Sequence, residues 1–155
     1  MALAADDILA IQKLIADYNH AVDAGDGPAF AALFVESGSL DSGFNVIKGS
    51  DELRDFAGIV PSMAPGARHL VSNVSIDGDG DDATARLYLQ MWATAGGAAE
   101  TKLVISGRYE DTIKREGGTW RFVTRSVTTT KGSPANVEPT RSSSSVVEDG
   151  LVGRA

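Results

Sequence analysis

Cysteine is absent from the 155 residues. That excludes disulfide frameworks, iron–sulfur clusters, thiolate zinc sites and cysteine nucleophiles. Histidine occurs only as His20 and His69, too few for a His-rich metal centre. No basic run exceeds a dipeptide, and 14 Lys and Arg stand against 21 Asp and Glu, for a formal charge of −7. Meeting phosphate takes clustered cations, so no nucleic-acid partner is expected. No apolar run reaches the roughly 18 residues that crossing a membrane requires. The opening MALAADDILAIQK is acidic and amphipathic, unlike a signal peptide. These absences point to a cytoplasmic protein with no membrane partner. Its chemistry is left to carboxylates, hydroxyls, amides, imidazole and guanidinium.

What is present is enough for one domain: 43% of the residues are hydrophobic and 6% aromatic, at a length that buries a sizeable core. A catalytic domain plus a separate cofactor domain would not fit. Ile8, Ile11, Ile15, Tyr18 and Val22 recur at helical spacing, with Asp6 and Asp7 suited to the first turn and Gly25 to the stop. Asp26 then caps a short second helix, with Pro28 in its first turn and Phe30, Leu33 and Phe34 on its buried face. The polar stretch Gly38–Gly43 and Phe44–Ile47 read as a small hairpin or bent strand. Ser50 starts a third helix through Leu53 and Phe56 that ends before Pro61.

From Arg68 the period becomes two. His69, Val71, Asn73 and Ser75 fall on one face of a strand, opposite Leu70, Ser72, Val74 and Ile76. Asp77–Asp81, Gly96–Gly97 and Arg115–Gly118 are turns between further long strands, the last running from Thr119 to Thr130. Helices first and an antiparallel meander afterwards define an α+β fold. No Gly-rich phosphate loop follows a strand, so nucleotide binding is not expected. Residues 1–130 form the domain. Residues 131–155, rich in Ser, Pro and Gly, read as a flexible tail whose Val146, Val147, Leu151 and Val152 suit docking on a partner.

Three stretches in order, YNHAVDAGDGPAFAALF, RHLVSNVSIDGDGDDATARLY and GRYEDTIKREGGTWRFVTRSV, resemble the SnoaL-like branch of the nuclear-transport-factor-2-like superfamily. The resemblance spans about residues 5 to 130. It implies a cone-shaped, curved antiparallel sheet packed on three N-terminal helices, a cystatin-like α+β barrel enclosing one deep apolar pocket. Members include polyketide cyclases, scytalone and bile-acid dehydratases and a hexachlorocyclohexane dehydrochlorinase, alongside proteins with no catalytic activity, so the fold alone does not give the function.

In the dehydratases and the dehydrochlorinase, a Tyr or other polar residue on the first helix, an Asp five residues later and a His opening the strand after the third helix form the site. Tyr18, Asp23 and His69 match those positions. A carboxylate that accepts from one imidazole nitrogen fixes the tautomer and leaves the other nitrogen as a base. A phenol in the same pocket suits a developing oxyanion. Each residue also has a plainer reading: Tyr18 as a core aromatic, Asp23 as a solvated residue at a helix end, His69 as a structural imidazole. His20 is expected in solvent.

For the pocket wall the expected ligand contacts are Asn73, Tyr88, Gln90, Trp92 and Arg125. Arg125 matches the arginine that bile-acid dehydratase places on its last strand, but Gln90 and Trp92 stand where that enzyme has a second Asp. Arg125 reads equally as an ion-paired strand residue. Asp41, in GSLDSG, reads either as a residue at the pocket mouth or as part of an ordinary turn.

The leading expectation is a lyase or isomerase, needing no cofactor or metal, acting on a hydrophobic small molecule. The alternative is a non-catalytic binding or assembly module, marked by a His69 out of reach of Asp23. Epoxide hydrolysis would need an Asp–Arg–Asp set that these residues do not assemble. The resemblance also implies a homodimer or homotrimer.

Overall fold

The structure is a computed structural model that describes residues 2–94 and 100–130. Three helices precede most of the sheet: α1 (Ala5–Ala24), α2 (Gly27–Ala32) and α3 (Gly49–Met63). The strands are β1 (Phe34–Asp41), β2 (Val46–Lys48), β3 (Arg68–Asp79), β4 (Asp82–Thr94), β5 (Thr101–Glu116) and β6 (Thr119–Thr129). The expected tail, 131–155, lies outside the described residues. Among those residues no helix is long and apolar enough to cross a membrane.

α1 buries Ile11, Leu14, Ile15, Tyr18 and Val22, the stripe expected from its spacing. Gly25 ends it at φ 70°, a conformation that glycine adopts without steric cost. A Cβ there would also come within 2.8 Å of Pro61 Cγ, so the glycine lets α1 and α3 approach. Asp26 caps α2 as expected, accepting from the Ala29 N–H at 3.0 Å.

Two boundaries differ from the sequence reading. α3 runs through Pro61 to Met63 and is capped at Lys48, whose N–H donates to the Glu52 carboxylate at 2.9 Å. The proline lies inside the helix and gives up one backbone N–H bond there, and beyond it the Ala64 N–H still closes the last turn on the Val60 carbonyl at 2.8 Å. Phe34 opens a strand rather than closing α2, and β1 absorbs most of the polar Gly38–Gly43 stretch.

The strand order is β2-β1-β6-β5-β4-β3. The fold class is α+β, but the sheet is mixed and open rather than a closed antiparallel barrel. β1 runs parallel to β6, and the edge strands β2 and β3 do not pair with each other. The helices cover one face, where Leu87, Leu89, Tyr109, Ile113 and Phe122 join the α1 stripe in one buried cluster.

Bulges decide which side chains reach that covered face. Asn73, at φ 54°, lies where the β3–β4 register shifts between Ser72 and Ser75. One extra residue in β3 reverses its alternation. His69 and Val71 pair with the inward Met91 and Leu89, while beyond the bulge it is Ile76 that pairs with the inward Ala85. A second bulge, opposite Thr112 and Ile113, has the same effect in β6, where Val123 is the extra residue. The Glu116–Thr119 register would carry Asp111 opposite Thr124, but the shift places Arg125 there.

Candidate active site

The covered face encloses a cavity of about 410 Å³. Tyr18 and Val22 of α1, Phe56 and Val60 of α3, and Leu89, Met91, Ile105, Tyr109 and Val127 of the sheet line it. Phe44, Ile59 and Met63 form an apolar rim, and Phe44 is 81% exposed. Ser42, Asn45, His69, Tyr18 and Tyr109 supply the hydrogen-bonding side chains, and none of the described lining residues is Asp, Glu, Lys or Arg.

His69 is fixed from behind. Its Nδ1 lies 2.6 Å from Asp23 Oδ1, and its backbone N–H donates to Asp23 Oδ2 at 3.1 Å. One carboxylate therefore anchors both the ring and the start of β3. At the C-terminal turn of α1 the helix dipole disfavours a carboxylate, and two donors offset that cost. With Nδ1–H donating, the Nε2 lone pair is left for the chamber. The side chains are 10% and 13% exposed.

His69 also borders a second, more polar groove lined by Asn19, His20, Asp23 and Arg68. Among the described residues it is the one common to the two linings. Asn19 is buried there, and its Oδ1 has no hydrogen-bond partner among the described residues. His20 is exposed, as expected.

Tyr18 packs against Phe30, Phe34, Tyr109 and Phe122 at ring-centroid distances of 4.8 to 6.2 Å. It is thus both a core aromatic and a chamber wall. Burial pushes its hydroxyl up to about 12 against the opposing pull of Arg125, so at neutral pH it is a phenol that donates. Burial raises Tyr109 as well, and its ring stands edge-on to that of Tyr18 with centroids 5.9 Å apart.

Beneath these phenols lies a second carboxylate pair. Arg125 Nε and Nη2 each donate to an Asp111 oxygen at 2.7 Å, with both side chains at 0% exposure. The guanidinium carbon stands 4.1 to 4.3 Å from the ring centroids of Tyr109, Tyr18 and Phe122. Burial raises the Asp111 carboxyl while Arg125 opposes the rise. Burial also works to lower Arg125, and Asp111 outweighs it, leaving the guanidinium raised and charged.

The expected site residues therefore divide. Asp23 and His69 meet, and Tyr18 lines the same chamber. Arg125 is not part of the chamber lining; the ion-paired reading describes it. Tyr88, Gln90 and Trp92 alternate with the buried Leu87, Leu89 and Met91 and so fall on the opposite sheet face. Asn73 is exposed at its bulge, although four residues from His69 would share a face in a regular strand. Asp41 serves a turn, accepting from the Gly43 N–H at 3.0 Å. Tyr109 and Asp111 were missed. Their signal was the alternation of Tyr109, Asp111 and Ile113 along β5, which puts a carboxylate in an apolar series.

An α+β scaffold with a roofed apolar chamber and a carboxylate-held imidazole in its wall is the class that this architecture defines. A SnoaL-like domain matches residues 4–126, so the chain belongs to the SnoaL-like family. Nothing among the curated proteins matches it. Among solved structures, it is similar to a protein of unknown function from Mycobacterium tuberculosis, at 31% identity over 80% of this chain and 72% of that one, with a TM-score of 0.74. A cystatin-like protein of unknown function from Nostoc punctiforme matches at 27% identity, covering 87% and 99%, with a TM-score of 0.77. A protein provisionally called scytalone dehydratase, from Novosphingobium aromaticivorans, matches at 25% identity, covering 80% and 84%, with a TM-score of 0.71.

Proposed function

We propose that the protein is a lyase or isomerase, working without a cofactor, that removes a proton from a hydrophobic small molecule held in the chamber. The observation that carries this reading is the 2.6 Å contact between His69 Nδ1 and Asp23 Oδ1 at the wall of an apolar cavity. His69 Nε2 takes the proton, Asp23 fixes the tautomer and stabilises the imidazolium, and Tyr18 donates to the oxygen or leaving group on which charge develops. The relative named for scytalone dehydration supports a dehydratase-like outcome. Elimination, cyclisation and isomerisation all begin with this step.

The test incubates the protein with a panel of cyclic ketones and alcohols in deuterated water and follows C–H exchange and elimination by NMR. Wild-type protein is expected to promote one of these. His69→Gln abolishes it, and Asp23→Asn lowers the rate by about a hundredfold to ten-thousandfold, the usual range for a positioned base. Full activity in Asp23→Asn removes the dyad from the mechanism, and no reaction across the panel overturns the enzyme reading. A homodimer or homotrimer remains part of the proposal, supported by the apolar Leu70 and Tyr88 exposed on the outer sheet face. Light scattering that finds a monomer at all concentrations overturns it.

A further inference from the structure

Asn19 interrupts the buried apolar stripe of α1 and is itself only 7% exposed. Its Oδ1 is buried and has no hydrogen-bond partner among the described residues. An acceptor in that state has given up water and gained nothing in return, and folded proteins keep few such groups.

Its neighbours suggest what the atom is for. Asn19 stands one helical turn before Asp23, and both side chains line the polar groove behind His69. Each Asp23 oxygen faces one His69 nitrogen, Nδ1 or the backbone N–H, and each keeps a further lone pair. An amide oxygen and a carboxylate oxygen both accept, so they cannot bond to each other. A molecule with two O–H donors can join them. The groove, of about 590 Å³, has room for one. The other donor-rich side chain there, Arg68, is exposed and has its Nη1 on the Ala67 carbonyl at 2.6 Å.

We propose that a water in this groove donates one hydrogen to Asn19 Oδ1 and the other to Asp23, and that Asn19 is thereby a positioning residue for the Asp23–His69 pair. The imidazole then stands between two media, with the apolar chamber on its Nε2 side and a hydrated carboxylate behind Nδ1. The water gives Asp23 a third donor at a helix end whose dipole disfavours its charge, and keeps the carboxylate turned toward the ring. This rests on the pair being the working one, as in the reading above, but not on turnover.

Two measurements on the full chain test it. A crystal structure that resolves waters is expected to place one at about 2.5–3.0 Å from both Asn19 Oδ1 and an Asp23 oxygen. The chain has only two histidines, so ¹⁵N labelling isolates the His69 ring, and its nitrogen shifts give the tautomer ratio at about pH 9, above the ordinary imidazole range. Wild-type protein is expected to be mainly Nδ1–H. Asn19→Leu, which cannot hold the water, lowers the ratio of Nδ1–H to Nε2–H by about threefold to tenfold, the worth of one net hydrogen bond. Asn19→Ser, whose hydroxyl oxygen also accepts, restores it. If the leucine variant does not fold, Asn19→Ala is read in its place. A groove without a water shared by the two side chains, or with Arg68 bridging them, overturns the proposal. So does a tautomer ratio unchanged by the apolar replacement, the result expected if Asn19 only fills space. A protein that shows the bridge and the tautomer shift yet catalyses nothing leaves the proposal standing and overturns the lyase reading alone.

Discussion

Two carboxylates in this molecule each hold a basic side chain, and they do so in opposite surroundings. Asp23 and His69 stand in the wall between an apolar chamber and a polar groove, each about one-tenth exposed. Asp111 and Arg125 are sealed, with two 2.7 Å hydrogen bonds and no exposure. The first pair contains an imidazole, a group able to take up and release a proton; the second contains a guanidinium that is not. Exposure follows use: a group that exchanges protons needs a path to its partners, whereas a permanently charged pair under a chamber floor needs none. Under the proposed function, the difference gives chemistry to one pair and architecture to the other.

The sharpest way to break that assignment is Asp111→Ala. Leaving Arg125 buried and uncompensated is expected to cost about 3–5 kcal/mol of stability, read from urea denaturation. The double replacement Asp111→Leu with Arg125→Met recovers most of it, because an apolar pair of similar volume avoids both desolvation costs. A loss below about 1 kcal/mol in the single variant would put the sealed pair on a par with a surface ion pair.

Alkaline pH probes the phenols over the same pair. The folded Tyr18 pKa is raised from 10.0 to about 12 and Tyr109 is raised too. The unfolded chain therefore loses these protons first. Stability is fully present below pH 10 and falls as pH rises toward 12, by about 1.4 kcal/mol per pH unit for each tyrosine. Denaturation midpoints measured at half-unit steps check the slope, and phenolate absorbance at 295 nm appearing already at pH 10 from Tyr18 and Tyr109 would contradict it.

The smallest stability effect is expected at the pair to which the proposed function gives the proton transfer. Asp23→Asn keeps an acceptor for one of the two His69 donors and is expected to cost about 0.5–1.5 kcal/mol, the net worth of one hydrogen bond. A loss as large as that of Asp111→Ala would show Asp23 to be structural as well, and the contrast between the pairs would disappear.

Much of this was legible in the sequence, and its failures share one cause. The α1 stripe, the Asp26 cap, the Gly25 stop and the turns at Asp77–Asp81 and Arg115–Gly118 are local signals, and each lies where spacing placed it; the expected Gly96–Gly97 turn lies outside the described residues. Tyr18, Asp23 and His69 were found because they coincide with family positions, not because distant residues announce their contact. The wall residues failed on alternation. In β4, a period of two cannot say which half faces inward, so Tyr88 and Gln90 were taken for Leu89 and Met91. In β3 and β6, bulges change the phase partway along. A bulge is a tertiary compromise, and only the φ of 54° at Asn73 marks it, in a residue type that tolerates that conformation and so carries little warning. The Asp111–Arg125 pair was hidden in the same way, since an unbroken hairpin would have set Thr124 opposite Asp111.

The extra residue at Asn73 has a consequence for how this stretch tolerates change. Side chains there are exposed, but the number of residues is fixed. Losing one would turn the Arg68–Ser72 segment over like a ribbon given half a twist. The imidazole would swing to the solvent side, and Leu70 would take its place against the cavity.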